Sequence, residues 1–500
     1  MTISTAIDPA ARARALAVQV AYRDLKAGAV NFLPIRIGIL GQGASATSYA
    51  TTKRQIYSAY EAGSVYGFGS PIHLAALQLL PPNGDGVGTI PVTVYPLEDD
   101  VAGAAAAGDA TPSVTTAVAS TYKLVVNNIV SQAFSVADGD AVADIVAAGV
   151  AAINATPEMP VIASDGTTKI DLTAKWDGAS GNDIYVELHE DSPTDKGVTW
   201  AFTQPTGGAT NPSVTDALAQ LGDVWETFIL NCMEYDDTDT MDALQTVNEG
   251  RWGASVGKPF ISFSGMTEST VALGITAPDA RKTDRTNAYL TSVASNDLPL
   301  VVAARQLARI AKIAGANPPN DYGRQQATGL TPAADGSQWT AAQRESAFQG
   351  GCSTQSVKDG VVQIEDVITF YHPTGDTDPA YRYVVDQVKL WNVMYNTWNI
   401  FSASDWAAAP LIPDDQPTVN PTAKKPRMAK AAVSRMIDSL GLNAIISDPE
   451  SAKESIIAGI NDSNPKRLDV TFSVALSGNT NQKSIDLYFG FYYGTAPVVG

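Results

Sequence analysis

Asn31-Phe32-Leu33-Pro34-Ile35-Arg36-Ile37-Gly38-Ile39-Leu40-Gly41 reads as a strand that stops at glycine. Working outward, His73–Leu80 reads as a short helix closed by Pro81 and Pro82, and Ile90–Leu97 as a second strand. The same rhythm returns later. Val214, Leu218, Leu221 and Val224 recur at helical spacing, Thr227–Cys232 and Pro259–Ser264 read as strands, and Met241–Trp252 and Leu298–Ala314 as helices. Strands alternating with helices predict an α/β domain. Here it is discontinuous, built from residues 23–95 and 213–335.

The intervening residues 96–212 have another character. Gly103–Ser120, rich in Ala, Gly, Thr and Ser, reads as a boundary, and Gly207-Gly208 and Asn211-Pro212 as the closing one. Between them Tyr122–Val126, Ala133–Val136, Lys169–Trp176 and Ile184–Leu188 read as strands and Val142–Ile153 as a helix. From Pro96 to Asn211 there are 16 acidic side chains, four lysines and no arginine, so this β-rich insertion carries a net charge of −12 within a chain of −19. Such a field repels phosphate backbones, which argues against nucleic acid as a partner.

Residues 336–476 read as a C-terminal α+β domain. Val362–Phe370 is a strand, and Val384, Val388, Trp391, Tyr395 and Trp398 mark one aromatic helix face. Ala429–Leu440 and Pro449–Ile460 read as helices. Two period-two alternations follow, Leu468, Val470, Phe472, Val474, Leu476 and then Ile485, Leu487, Phe489, Phe491, Tyr493, each a strand with one buried face. Residues 1–22 read as an N-terminal arm and 477–500 as a C-terminal strand arm. The fold class expected is thus α/β and α+β, multidomain, with extended terminal arms.

At 500 residues and 45% hydrophobic content the chain can bury several cores. Its charged fraction of 17% lies below the usual quarter, which suits a surface covered by neighbours. Cys232 and Cys352 stand apart as two buried thiols of a reducing compartment. Neither a signal peptide nor a membrane span is expected.

No catalytic, cofactor or metal site is expected. His73, His189 and His372 fall in three segments, and Phe263-Ser264-Gly265 lacks the preceding glycine of a nucleophile elbow. Asp236, Asp237 and Asp239 read as a solvated loop, and the glycines at 41–43, 84–88 and 253–257 as turns without phosphate-loop spacing. Two features stand out. Lys424, Lys425, Arg427 and Lys430, with Arg435, form a basic run in an acidic chain. The row Ile485, Leu487, Phe489, Phe491, Tyr493 is an aggregation hazard unless it has an intended partner.

Several segments carry a family resemblance: Trp176-Asp177-Gly178-Ala179-Ser180-Gly181-Asn182-Asp183-Ile184, Leu298-Pro299-Leu300, Ala316-Asn317-Pro318-Pro319, Leu330-Thr331-Pro332, and Gly350-Gly351-Cys352-Ser353-Thr354. Val361–Tyr371, Asp378-Pro379-Ala380-Tyr381-Arg382 and Asn464-Pro465-Lys466-Arg467-Leu468-Asp469-Val470 continue the order. In order and spacing the chain resembles the tail sheath proteins of contractile Mu-like phages. The resemblance implies a structural subunit, not an enzyme, stacked in rings, usually six-membered, around an inner tail tube. It implies strand exchange between subunit termini, a C-terminal region facing the tube, and baseplate and tail terminator proteins as further partners. It also implies a place in the virion after assembly in the host cytoplasm. On that view the basic run faces the tube and the insertion faces out. The rival readings are an α/β hydrolase or nucleotide-binding enzyme, and another virion or surface-layer assembly protein.

Overall fold

The structure is a computed structural model that describes residues 31–376 and 380–491. It divides into two compact units. Phe32–Met394 forms the larger, rejoined by the chain from Gly478, and Tyr395–Ser477 forms the smaller.

The larger unit is organised by a six-stranded sheet in the order Asn287–Thr291, Ile261–Met266, Phe228–Asn231, Ile37–Gln42, Val92–Leu97, Arg54–Ile56. Neighbours pair in parallel, except for the antiparallel edge strand Arg54–Ile56. Every residue of the five parallel strands is buried, as expected of a parallel sheet covered on both faces. Helix Pro299–Ala316 crosses the Ile261 and Asn287 strands with eleven buried residues. It approaches so closely that a Cβ on Gly265 would stand 1.6 Å from the Pro299 carbonyl oxygen, which leaves glycine as the residue that fits. The mixed, multidomain α/β architecture agrees with the sequence expectation.

Residues 105–206 form a four-stranded antiparallel sheet, Val198–Thr206, Ala105–Val114, Ile170–Asp177, Val161–Asp165, covered by helix Val142–Asn154. The small-residue stretch read as a boundary is therefore largely an inner strand. Small residues are needed there because Gly108 faces the neighbouring backbone, and a Cβ would lie 2.4 Å from the Thr203 carbonyl oxygen.

Polar contacts tie this sheet region to the six-stranded sheet. Gln42 Nε2 donates to the Asp177 carbonyl at 2.6 Å, and Asn211 Nδ2 donates to Asp237 at 3.1 Å. A hairpin of Leu124–Val126 and Ile129–Val130 turns through Asn127 and Asn128, both with left-handed φ, as a two-residue hairpin turn requires. Its tip reaches the loop before helix Pro299–Ala316. Asn127 Nδ2 donates to the Asn296 carbonyl at 2.9 Å, and Asn128 Nδ2 donates to the Asp297 carboxylate and to Thr331 Oγ1.

Residues 336–394, assigned from sequence to the C-terminal domain, pack in the larger unit instead. The reason is a shared core, since Trp339, Ala347, Cys352 and Phe370 close on Met241, Met266, Tyr289 and Val293. Helix Val384–Ser402 buries Val384, Val388 and Trp391, with the Trp391 ring 6.4 Å from that of Phe228, whereas Trp398 further on is 63% exposed.

The smaller unit is built on helix Pro426–Leu442, which buries Val433, Ile437 and Leu440. Helix Pro449–Glu454 and an antiparallel hairpin, Ile457–Asn461 with Asn464–Thr471, pack against it. The run read as one helix, Pro449–Ile460, changes to strand at Ile457. Ile457 and Ile460 find pairing partners in Thr471 and Leu468, and a short apolar run has no periodicity strong enough to refuse them. The expected N-terminal arm, residues 1–22, lies outside the described residues.

Candidate interaction surfaces

Residues 478–491 form no helix or strand, and their apolar row is open to solvent. Ile485, Leu487 and Phe489 are each 84% exposed and Phe491 77%. Tyr493, the last of the row, lies outside the described residues. Four large apolar side chains on alternate residues, uncovered by their own chain, form the kind of surface that soluble proteins reserve for a partner.

The hairpin of the smaller unit is a sheet of two strands among the described residues, so both of its edges are open. One face carries Leu468, Val470 and Phe472, half-buried, which with Thr397, Phe401 and Trp406 line a cavity of about 400 Å³. The first of the two sequence alternations thus has a covered face in its own unit, though an incomplete one. Two-stranded hairpins are marginal alone and gain from further strands.

The basic run is split by the fold. Lys424 pairs with Asp405 at 2.8 Å and lies over the Trp406 ring at 5.1 Å. Lys425 is buried, and its ammonium donates to the Asp414 carbonyl at 3.3 Å and to that of Gln416, fastening the proline-rich loop. Arg427 and Lys430 are exposed and make no ion pair among the described residues; Arg435 is exposed beyond them. Nothing in the local pattern marks this division, because whether a lysine turns inward depends on carbonyls supplied eleven and nine residues away.

The residues weighed for chemistry have local roles. His73 accepts the Gly69 amide at 2.9 Å through Nδ1, and burial lowers its pKa to about 4, so the ring is neutral. Ser264, buried, accepts from Asn231 Nδ2 at 3.1 Å. Asp237 caps helix Thr238–Trp252 by accepting from the Asp239 and Thr240 amides. Both cysteine thiols are buried, which pushes their pKa up and holds them protonated. No group of three or more His, Cys, Asp or Glu among the described residues is placed to hold a metal ion. Asp183 is raised to about 7 by burial and then by Glu234, Glu268 and Asp236.

No family model matches the sequence. A curated relative, the Mu-like prophage FluMu tail sheath protein of Haemophilus influenzae, is 28% identical over 307 residues, which are 59% of this chain and 61% of the relative. The chain thus spans about three fifths of the length of the curated relative it matches. Among solved structures, a sheath tail protein from Listeria innocua aligns with a TM-score of 0.48 at 12% identity, over 91% of this chain and 94% of that one. The helical sheath of the anti-feeding prophage in its contracted state aligns with a TM-score of 0.48 at 10% identity, over 96% and 99%. Over its 307 matched residues, this chain is a homologue of a Mu-like tail sheath protein.

Proposed function

We propose that this chain is a subunit of a contractile tail sheath, a structural protein that polymerises around an inner tube and shortens by rearrangement of folded subunits. The observation that carries the reading is the exposed row Ile485, Leu487, Phe489 and Phe491, which follows a domain whose hairpin has two open edges. A strand of one copy added to the hairpin edge of another would satisfy both. Burying each large apolar side chain contributes about 1.5–3 kcal/mol. Ordering the strand costs about 1–2 kcal/mol per residue, so the main-chain hydrogen bonds of an open edge are needed as well. Such a joint holds without dictating the angle between the subunits it links, which suits rigid-body rearrangement.

On this reading the subunits stack in rings, six-membered as in the family resembled, with the C-terminal region toward the tube. Arg427 and Lys430 are the basic residues left to meet an acidic tube surface, and the acidic insertion faces outward. Baseplate and tail terminator proteins complete the partners, and the assembled particle is a virion tail built in the host cytoplasm. Electron microscopy of the overexpressed protein tests the proposal. Long hollow tubes with a regular ring repeat are the expected result, and a protein that stays monomeric at high concentration would overturn it.

A further inference from the structure

A lysine with no exposed surface is unusual, because an ammonium group taken out of water must recover its hydration from fixed partners. Lys389, on helix Val384–Ser402, is 0% exposed. Its ammonium donates to Asp386 Oδ1 at 2.8 Å and to Asn479 Oδ1 at 2.6 Å. The other end of the Asn479 amide, Nδ2, donates to the Pro319 carbonyl oxygen at 2.8 Å. The amide orientation is forced, since an ammonium can only donate and a carbonyl can only accept.

The seat is itself built. Helix Pro299–Ala316 ends at Asn317, and two prolines follow that cannot continue it, leaving the Pro319 carbonyl free to accept. Two residues on, the Asp321 side chain accepts from the Tyr322 amide at 2.8 Å. Asp321 also lies within the field of Lys389. Asn479 stands at the root of the terminal segment, and from Thr480 onward the described chain has no strand partner of its own.

We propose that Asn479 is a positioning residue, clasped between the buried Lys389 and the Pro319 carbonyl, that fixes the point on the larger unit from which the C-terminal arm leaves. The inference rests on the arm-exchange reading for its purpose, but the clasp itself can be tested in the free subunit. A fixed root turns a loose tail into a tether of defined origin, so a linked neighbour is held within the reach of the residues beyond Thr480. An aspartate could not substitute. It would keep the Lys389 contact as an ion pair, but it would lose the donor to Pro319 and set carboxylate against carbonyl.

The experiment uses paired spin labels at Lys358→Cys and Thr480→Cys, both exposed positions, in the full chain; native Cys232 and Cys352 are buried and do not compete for label. The otherwise unchanged protein should give one narrow distance. Asn479→Ala and Asn479→Asp should each lose that narrow distance while the melting temperature stays near that of the parent. Lys389→Met should lose it too and also lower the melting temperature, since Asp386 and Asp321 are left without their cation. A narrow, unchanged distance in Asn479→Ala would overturn the clasp. Failure of the parent to form tubes would count against the sheath reading alone, because the spin-label distance is read on dispersed subunits.

Discussion

Two strands' worth of alternating apolar residues sit in this chain and are treated oppositely. In Ile170–Asp177 the residues Ile170, Leu172, Ala174 and Trp176 are 0–4% exposed, flanked by Ala105–Val114 on one side and Val161–Asp165 on the other. In the terminal segment Ile485, Leu487, Phe489 and Phe491 are 77–84% exposed with no flanking strand. The pattern in sequence is the same. Alternation says that a strand will have one apolar face, and it does not say which molecule covers it. The inserted region completes itself; the terminal segment waits for a partner.

From that contrast, removing residues 484–500 should abolish tube formation outright while the subunit's melting temperature hardly moves. Tubes of normal length from the truncated protein, seen by electron microscopy, would break the comparison. The corresponding injury to the inserted sheet acts on stability instead. Trp176 is fully buried and its indole N–H donates to Ser180 Oγ at 2.9 Å, so Trp176→Ala should cost about 3–5 kcal/mol in chemical denaturation.

The joint of the insertion should show a middle-sized effect. Asn128→Ala removes one donor from Asp297, which is 3% exposed and keeps the Thr331 amide at 2.7 Å and Ser295 Oγ at 3.0 Å. A loss of about 1–2 kcal/mol in denaturation is expected, with faster proteolysis near Asn127.

Asp183 should sharpen the picture through pH. Its folded pKa near 7 lies above the ordinary carboxyl value, so between about 4 and 7 the folded state holds a proton that the unfolded state has released. Stability from this group therefore falls as pH rises through that window. Asp183→Asn should match the parent near pH 4 and melt higher at pH 8, by about 1 °C for each kcal/mol relieved in a chain of this length. Equal melting of the two proteins at pH 8 would show that neither burial nor the neighbouring Glu234, Glu268 and Asp236 raises this carboxyl in the folded protein.

The smallest effect belongs to the basic residues. Arg427→Gln with Lys430→Gln should weaken coating of purified tube by about 0.2–1 kcal/mol per contact, visible only because contacts repeat along the tail, and salt should erase the difference. Lys425→Gln should act differently, loosening the proline-rich loop of the isolated subunit, because that ammonium is spent on the Asp414 and Gln416 carbonyls.

The parallel core was legible wherever strong periodicity met clear stops. The strand ending near Gly41 stops within one residue of Ile37–Gln42 but begins six residues later than read, and the helix Leu298–Ala314 lies within two residues of Pro299–Ala316 at each end. The helix ends at Asn317, whose amide still donates to the Ile313 carbonyl, because the two prolines that follow bring no amide to continue it. What escaped was Ala105–Val114, whose small side chains look like a linker until Gly108 is seen against the Thr203 backbone, and Lys389 and Lys425, which look like surface cations until their carbonyl and amide partners arrive from distant residues. Likewise Trp176–Ile184, Leu298–Leu300, Ala316–Pro319 and Leu330–Pro332 share no chemistry as motifs. In the fold, Asp177 and Asp183 offer carbonyls to Gln42 and Asn127, Asp297 and Thr331 receive Asn128, and Pro319 receives Asn479. Local periodicity and chain stops are properties of neighbouring residues, so the sequence by itself determined the α/β core and the two apolar alternations. Which polar groups meet, and which apolar face is left uncovered, depends on contacts between residues far apart in the chain, and only the tertiary structure decided those.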